Sequence, residues 1–472
     1  MELTDGLRAV VGSFDDWARR WGPHERHEST RVDDAVLQAA LDELVDRLGG
    51  NYPFFHARYA GQMLKPPHDV AVLGYVAAML HNPNNHALDG GPPTSAMEKE
   101  LVPQLAAMFH LPTDSLGHLT SSGTIANLEA LFVARELAPG RAVAFSADAH
   151  YTHARMCRVL GVEALPLAVD GSGRLALEAV EAACRSGRVG TIVATAGTTG
   201  LGMVDPIADI IPIARAHGVR VHVDAAYGGY FSILAWPGGG EAECDASNPA
   251  IADGWGGPTA HLRAIADADS VVVDPHKHGL QPYGCGAIVF RDPSVGRFYE
   301  HDSPYTYFTS DDLHLGEISL ECSRSGAAVA ALWLTQRVLP WTRTGLGAML
   351  AAGLRAARAF ELLLESSSAL QRYQRGDLDI VSYLPRRASL QEIDNATLAV
   401  FAAAMTDPAD PIFVATYAVT AEQMTERCPQ VVADRADTRI LRSVLMKPEH
   451  EHAVARLFAR LESIASATSR SR

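Results

Sequence analysis

Four short segments of this chain hold residue types that could do chemistry, and each lies beside an apolar run. Val221-His222-Val223-Asp224-Ala225-Ala226 ends a β-branched run on an acid, followed by Tyr227-Gly228-Gly229. A carboxylate buried there needs a cation or hydrogen-bond donors, and the alanines leave room for something flat; a capped turn is the other reading. Asp274-Pro275-His276-Lys277 brings a lysine out of Val271-Val272-Val273. Partial desolvation would make it a candidate Schiff-base amine, whereas full exposure would make it a surface charge. His150, in Ala147-Asp148-Ala149-His150-Tyr151, could stack on an aromatic ligand and move protons, or serve as a hydrogen-bonded structural histidine. Ser121-Ser122-Gly123-Thr124 leads into a helix carrying Ile125, Leu128, Leu131 and Phe132. Gly123 would let an anion such as phosphate approach free N–H groups; a plain serine N-cap is the alternative. His150 and His153 are three apart, but no further ligand completes a metal set, so no metal is expected.

The elements that must position these residues alternate between short β-branched runs and helical patterns from about Gly117 to Arg291. Such alternation predicts βαβ units and a largely parallel sheet. Ala142–Phe145, Thr191–Ala194, Val219–Val223 and Ser270–Val273 are the four runs that matter, each followed at once by polar residues, Thr195 among them. In a parallel sheet their carboxyl ends open on one side, so distant residues would meet in one cleft. Asp33–Leu48 has apolar residues at helical spacing, with Asp33 as cap and Gly49-Gly50 as stop. Trp236–Gly257, rich in Gly, Pro and acids, reads as a surface insertion. Beyond about Pro340 a helix (Gly345–Leu364), strands near Asp379–Leu384, Ile412–Thr416 and Ile440–Met446, and a closing helix from about His450 to Ile464 predict a smaller α+β domain. No internal repeat or low-complexity tract interrupts this order. The expected division is residues 1–70, an N-terminal helical segment; 71–340, a large domain; and 341–472, the small one.

Composition bounds the partners. Of 472 residues, 47% are hydrophobic and 20% charged, enough for a large core without disulfide or metal staples. A formal charge of −15 disfavours nucleic acid and anionic membranes as partners. Six scattered cysteines form no CxxC pair, the N-terminus lacks a signal-peptide core, and the longest nearly uncharged stretches, such as Asn395–Met405, are too short to span a bilayer. The expectation is a reduced, soluble, cytoplasmic protein.

Taken together and in order, SSGTIANLEAL, ADAHYTHARM, ATAGTTGLGMVDPI, HVDAAYGGYF and VVDPHKHGL resemble the group II pyridoxal-phosphate-dependent amino-acid decarboxylases. Weaker echoes in NYPFFHARYAGQ, NPNN…PPTSAMEKEL, SRSGAAVAALW and LRSVLMKP extend the resemblance from about residue 50 to 450. It implies an α/β protein of the type I pyridoxal-phosphate-dependent transferase-like fold, a mostly parallel large domain with a small α+β C-terminal domain. It implies α-decarboxylation of an L-amino acid to a primary amine and carbon dioxide. Pyridoxal 5'-phosphate would be bound through Lys277, with Asp224 on the pyridine nitrogen and His150 stacked on the ring. Gly123 and Thr124, with His276, would hold the phosphate; Thr195 would bond near the ring hydroxyl or substrate carboxylate, and Ala226 would pack beneath the ring. Arg442 would bind the substrate carboxylate, a strand salt bridge being its other reading. Within Glu300–Leu315, Tyr305 competes with Tyr307 and His314 to protonate the carbanion. Ser323 and Arg324 would reach the partner's phosphate in a homodimer that the N-terminal segment helps to form.

The chain departs from the family pattern in three places. Ser122-Gly123 and Ile125 stand where Gly-Gly and Glu flank the phosphate threonine, His278 follows the lysine where Trp is usual, and the Trp236–Gly257 insertion is long. These weaken any transfer of substrate identity. Another type I pyridoxal-phosphate enzyme (carbon–carbon lyase, desulfurase or aminotransferase) and a non-catalytic cofactor-binding module are the competing functions.

Overall fold

A computed structural model describes residues 1–236, 255, 258–300 and 315–470, with side chains to residue 468. Eleven strands form two sheets among these residues. The larger contains β1 (Leu116–Thr120), β2 (Ala142–Ser146), β3 (Ala164–Leu167), β4 (Val189–Thr195), β5 (Arg220–Asp224), β6 (Ser270–Val273) and β7 (Gly286–Phe290). Its order is β1-β7-β6-β5-β4-β2-β3, and only β7 runs antiparallel to its neighbours. The four runs picked from the sequence are thus β2, β4, β5 and β6, adjacent and parallel. Every residue of β2, β4 and β6 is buried, as expected of strands covered on both faces.

Alternation along each strand decides what meets what. Val272 of β6 and Ile288 of β7 face Ala126, Ala130 and Val133 of a helix at Gly123–Leu137. Val271 and Val273 face the other way, into a cluster with Ile207 and Ile210. On β5 the same period of two turns Val221 and Val223 into that second cluster. His222 and Asp224 then point to the Gly123–Leu137 side, where their partners lie.

The helices before the sheet are α1 (Leu3–Arg19), α2 (Asp34–Leu48), α3 (Asp69–Met79) and α4 (Pro92–Met108); α5 (Gly123–Leu137) follows β1, and α6 (Thr152–Leu160) follows β2. Asp33 caps α2 as expected, accepting from the N–H groups of Ala35 and Val36. No residue of α2 is buried.

The small domain is an antiparallel sheet, ordered β10-β11-β9-β8, of β8 (Leu370–Gln374), β9 (Ile380–Pro385), β10 (Ala415–Thr420) and β11 (Asp437–Val444). Helices Leu346–Ser366, Leu390–Thr406 and His450–Arg470 accompany it. Two expectations need correction here. The strand placed near Ile412–Thr416 starts at Ala415, because Phe413 pairs with Tyr59 and its N–H goes to the Arg58 carbonyl. The closing helix runs on past Ile464 to Arg470. Ala60 donates to the Phe413 carbonyl and accepts from the Val444 N–H, so the early chain is stitched into this sheet.

Candidate active site

The carboxyl ends of β2, β4, β5 and β6 open on a cavity of about 240 Å³ lined by Gly123, Thr124, Asn127, His150, Thr195, Asp224, Ala226, Tyr227, Asp274, His276 and Lys277, among others. Larger cavities of about 390 and 420 Å³ lie beside the β8–β9 turn and against α1, but they lack this convergence of titratable groups at strand ends. Chemistry, not size, identifies the site.

Lys277 sits in a tight turn after β6, its N–H bonded to the Asp274 carbonyl at 2.9 Å. Its Nζ lies 3.0 Å from Asp274 Oδ2, while Asp274 Oδ1 is buried without a hydrogen-bond partner. Asp274 also explains Gly123: a Cβ there would sit 2.5 Å from Oδ1. The first turn of α5 is capped by Ser122, whose Oγ accepts from the Ile125 N–H, and the N–H groups of Gly123 and Thr124 stay outside the helix ladder. His276 Nδ1 donates to the Cys285 carbonyl at 2.7 Å, and its Nε2 is 3.5 Å from Asp274 Oδ2.

Asp224 is buried at the end of β5. Its Oδ1 accepts from the Ala226 N–H at 3.2 Å and its Oδ2 lies 2.9 Å from His153 Nε2. Burial works against the charged form, but the hydrogen bond from His153 and the charge of Lys277 outweigh it and hold the carboxyl well below the usual carboxylate range. His150 is half-buried; its Nδ1 accepts from the Thr152 N–H at 3.2 Å, which leaves the proton on Nε2. Burial is the main cause of its lowered pKa, so a neutral imidazole faces the cavity at pH 7. Thr195 is oriented from behind: its N–H donates to Asp205 Oδ2 at 2.7 Å, and its buried Oγ1 has no partner.

These features fit pyridoxal phosphate. The free N–H groups at α5 suit its phosphate, the ionised Asp224 its ring nitrogen, the orphaned Thr195 hydroxyl its polar ring edge, and Lys277 its aldehyde. Residues 70–237 match the family model for the pyridoxal-dependent decarboxylase conserved domain. An L-tyrosine decarboxylase of Enterococcus faecium is 30% identical over 417 residues, covering 69% of this chain and 67% of that protein. The chain belongs to the group II pyridoxal-phosphate-dependent decarboxylase family. It is therefore a pyridoxal-phosphate-dependent carboxy-lyase. An L-2,4-diaminobutyrate decarboxylase of Rhizobium meliloti is 28% identical over 346 residues, 68% of this chain and 64% of that one. The fold matches mouse CSAD with a TM-score of 0.74 at 17% identity over 98% of both chains. It matches Oryza sativa TDC with PLP and tryptamine at 0.74 and 18%, over 97% and 98%.

Of the residues expected at a decarboxylase site, the cavity gathers Gly123, Thr124, His150, Thr195, Asp224, Ala226, His276 and Lys277. Arg442 is not on its wall. It is buried one step behind, its Nη1 donating to the carbonyls of Thr199 and Gly200 and its Nη2 to Gln62 Oε1 at 2.6 Å. Ser323 is exposed, 3.2 Å from Asn84 Nδ2, while Arg324 turns inward to Glu98 at 2.6 Å. Tyr305, Tyr307 and His314, and most of the Trp236–Gly257 insertion, lie outside the described residues. Residues the motifs did not mark out for a role are His153, Asp205 and Asp274. For His153 the signal was its place three residues beyond His150, although only His153 lies within α6.

Proposed function

We propose that this protein decarboxylates an L-amino acid at Cα, giving carbon dioxide and the primary amine, with Lys277 holding the cofactor covalently through its ε-amine. The observation that carries this reading is the meeting of Lys277, Asp224, His150 and the N-terminus of α5 in one cavity at the carboxyl ends of parallel strands. Pyridoxal phosphate, when bound, supplies an electron sink for the pair left behind by the departing carboxylate.

Each residue then has a task. Asp224, kept ionised, would hold the ring nitrogen protonated. His150, a neutral imidazole, would stack against the ring. Gly123, Thr124 and His276 would bind the phosphate and Thr195 the ring oxygen, and the small Ala226 would leave room for the ring. Asp274 holds the Lys277 ammonium whenever that amine is free, keeping it beside the reacting carbon. The Thr199–Gly200 turn, supported by Arg442, forms the wall towards the substrate; Arg442 reaches the substrate carboxylate once Gln62, an exposed side chain, releases Nη2. Holding the scissile carboxylate perpendicular to the ring is what such binding must achieve.

The working form is proposed to be a homodimer in which Ser323 faces the neighbouring subunit. Its support is the exposed apolar stripe of α2, comprising Val36, Leu37, Leu41, Leu44, Val45 and Leu48. The test of function is a screen of amino acids, including tyrosine, aspartate and 2,4-diaminobutyrate, for carbon dioxide release. Release with matching amine supports the reading, and keto acid without gas overturns it.

A further inference from the structure

Two histidines lie beside Asp224, and only one is available to it. His222 is two residues earlier on β5 and shares its face of the sheet. Its Nε2 lies 3.0 Å from Asn127 Oδ1 and its Nδ1 lies 2.9 Å from Ser270 Oγ. Asn127 Nδ2 already donates to the Gly123 carbonyl at 2.8 Å, so its Oδ1 is the acceptor and His222 carries its proton on Nε2. His222 Nδ1 then accepts from the Ser270 hydroxyl. Burial first of all pushes the pKa of His222 down to about 3, so this ring is neutral and fully engaged elsewhere.

His153 is placed differently. It belongs to the first turn of α6, is wholly buried, and directs Nε2 at Asp224 Oδ2 over 2.9 Å. Its Nδ1 is buried with no hydrogen-bond partner. The surroundings are apolar: the Phe145 ring is 5.8 Å away, in a cluster with Met156, Cys157 and Val193. An apolar side chain would fill this space without orphaning a nitrogen. The use of the imidazole therefore lies in its one polar contact. With the Ala226 N–H on Oδ1 and His153 on Oδ2, the carboxylate is gripped at both oxygens from the protein side.

We propose that His153 is a positioning residue that sets how strongly Asp224 engages the ring nitrogen of the cofactor, by donating from Nε2 and keeping the carboxylate charged and turned towards the cavity. It acts through Asp224 and touches neither cofactor nor substrate. The inference rests on the assignment of Asp224 to the ring nitrogen.

The test compares the affinity of cofactor-free protein for pyridoxal phosphate with its affinity for the analogue whose ring nitrogen is replaced by carbon. The ratio isolates the Asp224 contact, needs no turnover, and cancels general damage to the site. A charge-assisted hydrogen bond makes the expected wild-type preference for pyridoxal phosphate about tenfold to a hundredfold. In His153→Leu the preference should shrink by about tenfold, the share expected of one lost hydrogen bond to a charged group. His153→Gln, which retains a donor, should restore most of it. His153→Phe offers a second apolar variant if the leucine protein does not fold. An unchanged preference in the apolar variants overturns the role of His153. A wild-type protein that binds both compounds equally overturns the assignment of Asp224 instead.

Discussion

At the scale of single residues, the chemistry depends on which groups meet at the ends of β5 and β6. Lys277 is paired with Asp274, which holds its amine at the end of β6. Lys277→Ala should abolish the near-visible absorbance of the lysine-bound cofactor and also lower thermal stability, since it leaves the buried Asp274 carboxylate without its cation. Absorbance spectra and melting curves of the two proteins check this. The residues that carry the motifs were legible in the sequence because each directly follows an apolar run. Asp224's partner was not. His153 is 71 residues away from Asp224, and their meeting needs both the strand alternation of β5 and the first turn of α6. Arg442 shows the opposite case: its type and position were legible, but its burial behind the Thr199–Gly200 turn depends on how the small sheet docks.

At the scale of elements, the first turn of α5 and the turn after β6 must approach closely. Gly123→Ala would drive a Cβ against the Asp274 carboxylate, on buried atoms that have little room to move. Cofactor retention on dialysis should fall by about tenfold or more, as displacement of a backbone phosphate cradle removes at least one charge-assisted hydrogen bond. In the small domain, Asp394 on the Leu390–Thr406 helix accepts from Arg439 and Arg435 of and beside β11. The Arg439 hydrogen bond is the chief cause of its pKa of about 2. Because the folded value is depressed, this contribution is present above pH 4 and lost as pH falls through 2. Asp394→Asn should cost about 2 kcal/mol in urea unfolding at pH 7. The gap to wild type should narrow between pH 4 and 2. The polar strand β8 (LQRYQ) had no visible pattern, since Leu370 and Tyr373 alone are buried in it. The parallel sheet was readable because its strands are continuous apolar runs buried on both faces.

At the scale of the whole molecule, the −15 charge describes the surface and says little about the site. Around the cavity Lys277, His276 and backbone N–H groups face incoming anions, with Asp224 and Asp274 as their counterweights. The proposed homodimer is tested by Leu41→Glu combined with Val45→Glu, which charges two exposed, adjacent positions of α2. Sedimentation should show a monomer for this variant and a dimer for wild type, with activity lost alongside. An unchanged dimer would place the subunit contact elsewhere.

Decarboxylation through Lys277 is tested most directly by a mass balance with carboxyl-labelled amino acid and pyridoxal phosphate, run on wild-type protein and on Lys277→Ala. Wild type should give labelled carbon dioxide and primary amine in equal amounts, and the variant neither. Keto acid with the label retained, or gas release undiminished in Lys277→Ala, would contradict decarboxylation through Lys277.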